Sequence, residues 1–311
     1  MLAYLKLIMI SIDNNNYELI TILGPTASGK TKLAVELAAK INGEIISADS
    51  RQIYKGMDIG TGKDLNEYSL SDRKIKYHLI DILNPQENYS VYQFKNDFID
   101  VYKNIKNSIP ILCGGTGLYI ESILLDYQMS NVKPNKELRL DLSLLSKIEL
   151  VDYFSKIDNK LCNKWKKDTK QRIIRGIEIA LGRDNINKRK NLLPEIKNYT
   201  IGISIDREHL RDKIKSRLES RMYDGMINEV EQLLMNGLPR ERLDYFGLEY
   251  KYVGLYLDKN INMDELKHKL YIEISRFAKK QMTFFRRMEK RGIIIHWLTY
   301  SEVSNKIIKS I

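Results

Sequence analysis

The apolar run Leu19-Ile20-Thr21-Ile22-Leu23 leads straight into Gly24-Pro25-Thr26-Ala27-Ser28-Gly29-Lys30-Thr31, and a helix-patterned stretch carrying Leu33, Val35, Leu37 and Ala38 comes next. Strand, G-x-x-x-x-G-K-T loop and helix in that order are the parts of a phosphate-binding loop. Its backbone N–H groups turn inward and the next helix adds its positive end to the same spot. Lys30 supplies a mobile full charge, and the Thr31 hydroxyl suits a magnesium ion bridging phosphate oxygens. A glycine-rich turn joining a strand to a helix is the competing description, and the complete spacing in this context speaks against it. The loop accepts a diphosphate or a triphosphate equally well, so the chemistry has to be sought elsewhere.

Strand and helix patterns alternate beyond the loop. Candidate strands cover 18–23, 44–48, 77–82 and 109–113, with helical patterns over 30–41 and 92–106. The alternation predicts an α/β fold: a parallel sheet flanked by helices, of the P-loop NTPase type, with ligands beyond the carboxyl ends of the strands. Three strand ends, the loop at 24–31, Ser47-Ala48-Asp49-Ser50 and Gly114-Gly115-Thr116-Gly117, are expected to face one crevice. From about 127 to 198 the pattern changes to consecutive helices rich in lysine and arginine. The expected domains are therefore a catalytic core over 1–126 and 199–311 and a small helical insertion over 127–198. A strand over 199–205 returns the chain to the sheet, and helices succeed it over about 207–234, 246–256 and 263–291. The segment 182–193, rich in charge and asparagine, reads as disordered.

A chain of 311 residues that is 43% hydrophobic suffices for a large core plus a smaller unit. Its net charge of +11 and pI near 9.3 suggest a polyanionic partner spread over more surface than one nucleotide; a general bias towards lysine would give the same number. Two cysteines, Cys113 and Cys162, lack metal spacing, and the four histidines are dispersed, so neither a disulfide framework nor a metal cage is expected. Residues 1–10 are apolar but too short to span a membrane, and read as an extra strand or a loose extension. The expectation is a cytoplasmic monomer that makes no membrane contact.

Asp49, at the end of an apolar strand, can take a proton from a nucleophile attacking a group joined to the bound phosphate, or can cap the next helix. Asp49 or Asp81 could equally be the magnesium-orienting acid of a nucleotide hydrolase. Thr26 could satisfy a backbone amide or could bond the oxygen bridging the leaving group. Along the helix from 207, Leu210, Ile214, Leu218 and Met222 form an apolar stripe with Lys213, Arg217 and Arg221 beside it. A basic border of this kind is usually a solvated edge. Gln171, Arg172 and Arg175 share a helix face and could meet a nucleic-acid backbone, although Asp168 stands one turn before Arg172. Phe277, Phe284 and Phe285, interleaved with Arg276, Lys279, Lys280, Gln281, Arg286 and Arg287, have the spacing of core residues.

Taken together, the loop at 24–31, the run Ser47-Ala48-Asp49-Ser50-Arg51-Gln52-Ile53-Tyr54-Lys55-Gly56-Met57-Asp58-Ile59-Gly60-Thr61, His78-Leu79-Ile80-Asp81 and Gly114-Gly115-Thr116-Gly117-Leu118-Tyr119 resemble the tRNA dimethylallyltransferase family. The order continues in Gln171-Arg172-Ile173-Ile174-Arg175, in Arg217-Leu218 leading to Met222, Gly225, Glu229 and Val230, and in Lys280-Gln281-Met282-Thr283-Phe284-Phe285-Arg286. The resemblance implies transfer of a dimethylallyl group from dimethylallyl diphosphate to N6 of adenosine 37 in the anticodon stem-loop of tRNAs reading codons that begin with U. It makes Gly24, Pro25, Thr26, Ala27, Ser28, Gly29, Lys30 and Thr31 a diphosphate cradle that does not hydrolyse ATP. Asp49 becomes the general base, Thr26 the residue at the bridging oxygen, and Arg217 the arginine assisting the diphosphate. The tRNA-contacting positions it implies are Asp49, Ser50, Arg51, Gln52, Thr116, Arg139, Gln171, Arg172, Ile173, Ile174, Arg175, Lys280 and Gln281. The chain departs from the family pattern at 245–251, 168–170 and 182–185. A phosphate-loop kinase or hydrolase, an adenylate isopentenyltransferase and a non-catalytic RNA-binding module are the competing functions.

Overall fold

A computed structural model describes residues 18–70, 73–182 and 193–304, of which those up to 127 and from 193 form one compact unit and those from 128 to 182 a second. In chain order the larger unit begins with β1 (Leu19–Leu23), α1 (Lys30–Ile41), β2 (Gly43–Ser47), β3 (Tyr77–His78), α2 (Val91–Asn104), β4 (Ile109–Gly114) and α3 (Gly117–Leu124). The smaller unit holds α4 (Lys136–Ser143), α5 (Lys147–Ile157), α6 (Asn159–Lys164) and α7 (Lys170–Leu181). The larger unit resumes with β5 (Asn198–Ser204), α8 (Arg207–Tyr223), α9 (Met226–Met235), α10 (Leu243–Phe246), α11 (Leu248–Leu257), α12 (Met263–Lys290), β6 (His296–Thr299) and α13 (Tyr300–Val303).

The six strands pair in the order β3-β2-β4-β1-β5-β6, every pair parallel. Parallel strands covered on both faces read as near-continuous apolar runs, and β1 is buried along its whole length. Its side chains alternate between two cores. Ile20 and Ile22 pack with Leu33, Val35 and Leu37 of α1, whereas Leu19 and Leu23 face the other layer with Phe94, Phe98, Ile120, Leu266 and Phe285. The pairing of β2, β4 and β1 sets their three carboxyl ends side by side, as the sequence predicts.

Several boundaries differ from expectation. β3 is only two residues long because Leu79 and Asp81 take left-handed backbone angles, φ 60° and 56°, which no strand continues through. The stretch 207–234 is two helices, broken where Gly225 adopts φ 100°, a conformation that costs glycine little and other residues more. The expected helix over 246–256 is α11, which starts at Leu248 after Gly247 separates it from the short α10. β6 is an addition at the sheet edge. The reading of residues 1–10 lies outside the described residues, as does nearly all of the segment expected to be disordered.

The smaller unit is a helical cluster around Leu150, Phe154, Ile173 and Ile177. Its charged centre is Glu178, whose Oε1 accepts from Arg139 Nε at 2.7 Å and whose Oε2 accepts from Arg139 Nη2 and Arg175 Nη1, each at 2.9 Å. Burial works to raise the pKa of this carboxyl, and Arg139 and Arg175 outweigh it, so the net shift is downward.

Candidate functional site

The site is built from the loop between β1 and α1 upward. Ser28 N donates to Pro25 O at 3.3 Å and closes the turn. Among the described residues the amides of Ala27, Gly29, Lys30 and Thr31 take no hydrogen bond, and the Ser28 hydroxyl, 1% exposed, has no partner. Four open amides and a buried hydroxyl are donors suited to an anion. The ring of Tyr300 lies against Gly29, and its hydroxyl donates to Glu36 of α1 at 2.6 Å, so α13 braces the cradle from outside.

Two cations serve the cradle. Lys30 Nζ rests 3.3 Å from Pro25 O; burial holds its ammonium below the ordinary lysine value, with Cys113 and Asp49 pulling the other way. Cys113, beneath it, is itself pushed up to about 12, chiefly by burial. Arg217, half-buried on α8, donates from Nη2 to the Thr26 hydroxyl. Its guanidinium is lowered to about 10, first by burial and then by neighbouring Arg221, against the pull of Glu249, Asp64 and Asp49. The basic border read from periodicity as a solvated edge thus contributes a residue to the loop.

Asp49 comes directly after β2. It is half-buried, and its Oδ1 accepts from Arg51 N at 2.9 Å, which orients the carboxylate within its own turn. The capping interpretation is thus met by a turn and not by a helix. Its negative charge acts on Lys30 and on Arg217 alike, so the carboxylate and the two cations of the cradle share one field. Thr116, after β4, ties the acceptor side together: its N donates to Ala48 O at 3.1 Å and its Oγ1 accepts from Ser50 N at 3.0 Å.

Other residues implied by the resemblance have structural partners. Gln52 is buried, accepting from Ser47 Oγ at 3.1 Å and donating to Gly62 O at 2.9 Å. Arg51 lies over the Tyr245 ring, 5.0 Å from its centroid. Ile173 and Ile174 belong to the core of the smaller unit, because they occupy the inward stripe of α7. Gln171 and Arg172 are exposed, and Arg172 pairs with Asp168 at 2.5 Å. Arg139 and Arg175 are committed to Glu178. Lys280 is exposed on α12, while its neighbour Gln281 is buried: its Oε1 accepts from Thr26 N at 2.8 Å and its Nε2 donates to Gly115 O at 2.9 Å.

Three supporting residues make contacts that sequence spacing does not show. Lys63 is fully buried and donates to Tyr54 O at 2.6 Å, to Asp58 at 2.5 Å and to Asp81, so Asp81, weighed as a magnesium acid, is instead the partner of a buried lysine. Glu229 of α9 accepts from the amides of Asp58, Ile59 and Gly60 at 2.7, 2.7 and 3.0 Å and from Tyr250 Oη at 2.6 Å. Gln281 is the third. Glu229 and Gln281 draw their partners from distant segments, whereas Lys63 gathers groups 5 to 18 residues away from within a loop of no regular period.

A family model described as IPP transferase matches residues 52–288, and one described as isopentenyl transferase matches 17–81. The tRNA dimethylallyltransferase 2 of Bacteroides fragilis is 49% identical over 290 residues, covering 92% of this chain and 94% of its own. The tRNA dimethylallyltransferase 1 of Parabacteroides distasonis is 48% identical over 293 residues, covering 91% and 92%. Among solved structures, the full-length tRNA isopentenylpyrophosphate transferase of Bacillus halodurans is 31% identical, with a TM-score of 0.66 and 94% of each chain covered. A eukaryotic dimethylallyltransferase acting on tRNA, 21% identical, shares the fold with a TM-score of 0.74 over 94% of this chain and 77% of that one.

Proposed function

The chain belongs to the IPP transferase family, and on that premise we propose that it transfers a dimethylallyl group from dimethylallyl diphosphate to N6 of adenosine 37 in tRNAs reading codons that begin with U. The observation that carries the reading is that Arg217 of α8 reaches the Thr26 hydroxyl of the loop after β1, while Asp49 stands at the carboxyl end of β2 in the same sheet. An anion cradle and a carboxylate side by side suit a reaction that releases diphosphate and a proton together.

The exocyclic amine of adenine is a weak nucleophile because its lone pair is delocalised into the ring. As its nitrogen bonds to the allylic carbon, the carbon–oxygen bond to the diphosphate breaks and the amine proton passes to Asp49. A positioned base contributes about 10²- to 10⁴-fold in such a step. The allylic carbon tolerates positive charge, so the larger task is stabilising the departing anion. Loop amides, Lys30 and Arg217 perform it, with Thr26 at the bridging oxygen.

Among the described residues no group of three or more His, Cys, Asp and Glu is placed to hold a metal ion. The Thr31 hydroxyl at the start of α1 would hold a magnesium ion carried in with the diphosphate, an ion that keeps few protein ligands beside phosphate oxygens and water. Bound there, magnesium would supply positive charge to the diphosphate oxygens.

The acceptor base leaves a single-stranded anticodon loop, where unstacking is cheap. Exposed cations of the smaller unit, Lys164, Lys166, Lys170 and Arg172, provide for the stem-loop backbone. No helix of the described residues is long and apolar enough to cross a membrane, and the reading is of a monomer acting in the cytoplasm. The test is Asp49→Asn in single-turnover transfer to tRNA. A fall of about 10² or more with tRNA affinity within a few-fold is expected; near-unchanged turnover would remove Asp49 as the base.

A further inference from the structure

We propose that Gln281 selects for a diphosphate by occupying the loop amide that a third phosphate would need. This rests on the diphosphate reading of the cradle and assigns it a specificity determinant.

A G-x-x-x-x-G-K-T loop is built to hold a nucleoside triphosphate as readily as a diphosphate. The donors in this loop are not evenly available. Those of Ala27, Gly29, Lys30 and Thr31 take no hydrogen bond among the described residues, whereas Thr26 N already donates to Gln281 Oε1 at 2.8 Å and the Thr26 hydroxyl accepts from Arg217. The loop is therefore open at its helix end and closed at its strand end.

The closure is fixed at both ends of one carboxamide. Gln281 is 7% exposed on α12, and its Nε2 donates to Gly115 O at 2.9 Å. A Cβ on Gly115 would sit 2.4 Å from that nitrogen and 3.5 Å from Lys30 Cε, so glycine at 115 is what lets the carboxamide lie beside the lysine stem. Because Gly115 O takes the amide nitrogen, the oxygen must face Thr26, and the side chain cannot reverse to offer a donor there. A phosphoryl group placed against the Thr26 amide would meet the Gln281 carboxamide oxygen where the rest of the loop offers an open N–H, and only the Thr26 hydroxyl and Arg217 would remain to it there. A neutral allyl group at the same place meets no such penalty. The family resemblance matches Gln281 to a tRNA-contacting position; the structure directs it at the phosphate loop.

The test measures binding of inorganic pyrophosphate and of tripolyphosphate, with magnesium, to the full chain and to Gln281→Met and Gln281→Glu. Methionine keeps the volume but frees the Thr26 amide. Glutamate keeps an acceptor there while losing the donor to Gly115. The tripolyphosphate-to-pyrophosphate affinity ratio is expected to rise about tenfold in Gln281→Met, the worth of one hydrogen bond to a charged group, and not to rise in Gln281→Glu. An unchanged ratio in Gln281→Met, or an equal rise in both variants, overturns the inference and leaves the diphosphate reading standing. Failure of pyrophosphate to bind the unsubstituted chain, or to compete with dimethylallyl diphosphate, overturns both. Should Gln281→Met not fold, Gln281→Ala is measured in its place against the same outcomes.

Discussion

Lys30 carries a charge of the cradle that rising pH can remove. Burial lowers its pKa, and a bound diphosphate stabilises the ammonium and raises it again. Pyrophosphate affinity is therefore full where the free-protein ammonium is protonated, and declines as pH rises through its lowered pKa, by at most about tenfold per pH unit for one proton. Lys30→Arg, with a more basic group, should move this decline upward. Calorimetric titration with pyrophosphate from pH 7 to 10 checks it, and the comparison cancels the titration of pyrophosphate itself. Identical profiles for the two proteins would mean that Lys30 does not face the anion. At this scale the cradle was legible in sequence, because Gly24 to Thr31 are contiguous and their spacing states their geometry. Lys63 and Gln281 were not, because their partners lie 5 to 18 residues away for the one and 166 to 255 for the other. Gln281 meets its partners across the fold and Lys63 within an irregular loop, and neither arrangement leaves a periodic spacing to read.

Among the elements, α9 carries a role out of proportion to its length. Glu229 gathers three consecutive backbone amides of the loop at 58–60, fixing the connection that leaves the Asp49 turn. Glu229→Ala strips these amides of their acceptor and is expected to lower stability by about 2–4 kcal/mol, with Glu229→Gln between the two; denaturant unfolding measures it, and a change below about 0.5 kcal/mol would contradict the assignment. The strands that position the site were readable because buried parallel strands appear as apolar runs. β6 was not, since His296-Trp297-Leu298-Thr299 is short, partly exposed and at the sheet edge. The break between α8 and α9 was hidden for another reason: Leu218, Met222, Met226 and Val230 keep a helical apolar period straight across Gly225.

For the whole molecule, the net charge of +11 finds its use in a polyanionic acceptor. Its cations are not equivalent. Arg139 and Arg175 hold Glu178 in the smaller unit, so Arg175→Ala is expected to destabilise that unit, whereas Arg172 makes an exposed pair with Asp168 that can be exchanged for phosphate. Arg172→Ala should therefore reduce the dependence of log tRNA affinity on log salt by about one contact; an unchanged slope in filter-binding titrations would return Arg172 to a purely structural pairing.

The most direct test of the account offers labelled dimethylallyl diphosphate and magnesium to the full chain with unmodified tRNA, with AMP or with no acceptor, and maps any label by nuclease digestion. Label is expected on tRNA alone, at N6 of adenosine 37. Label on AMP with none on tRNA, or ATP hydrolysis with no prenyl transfer to any acceptor, would contradict it.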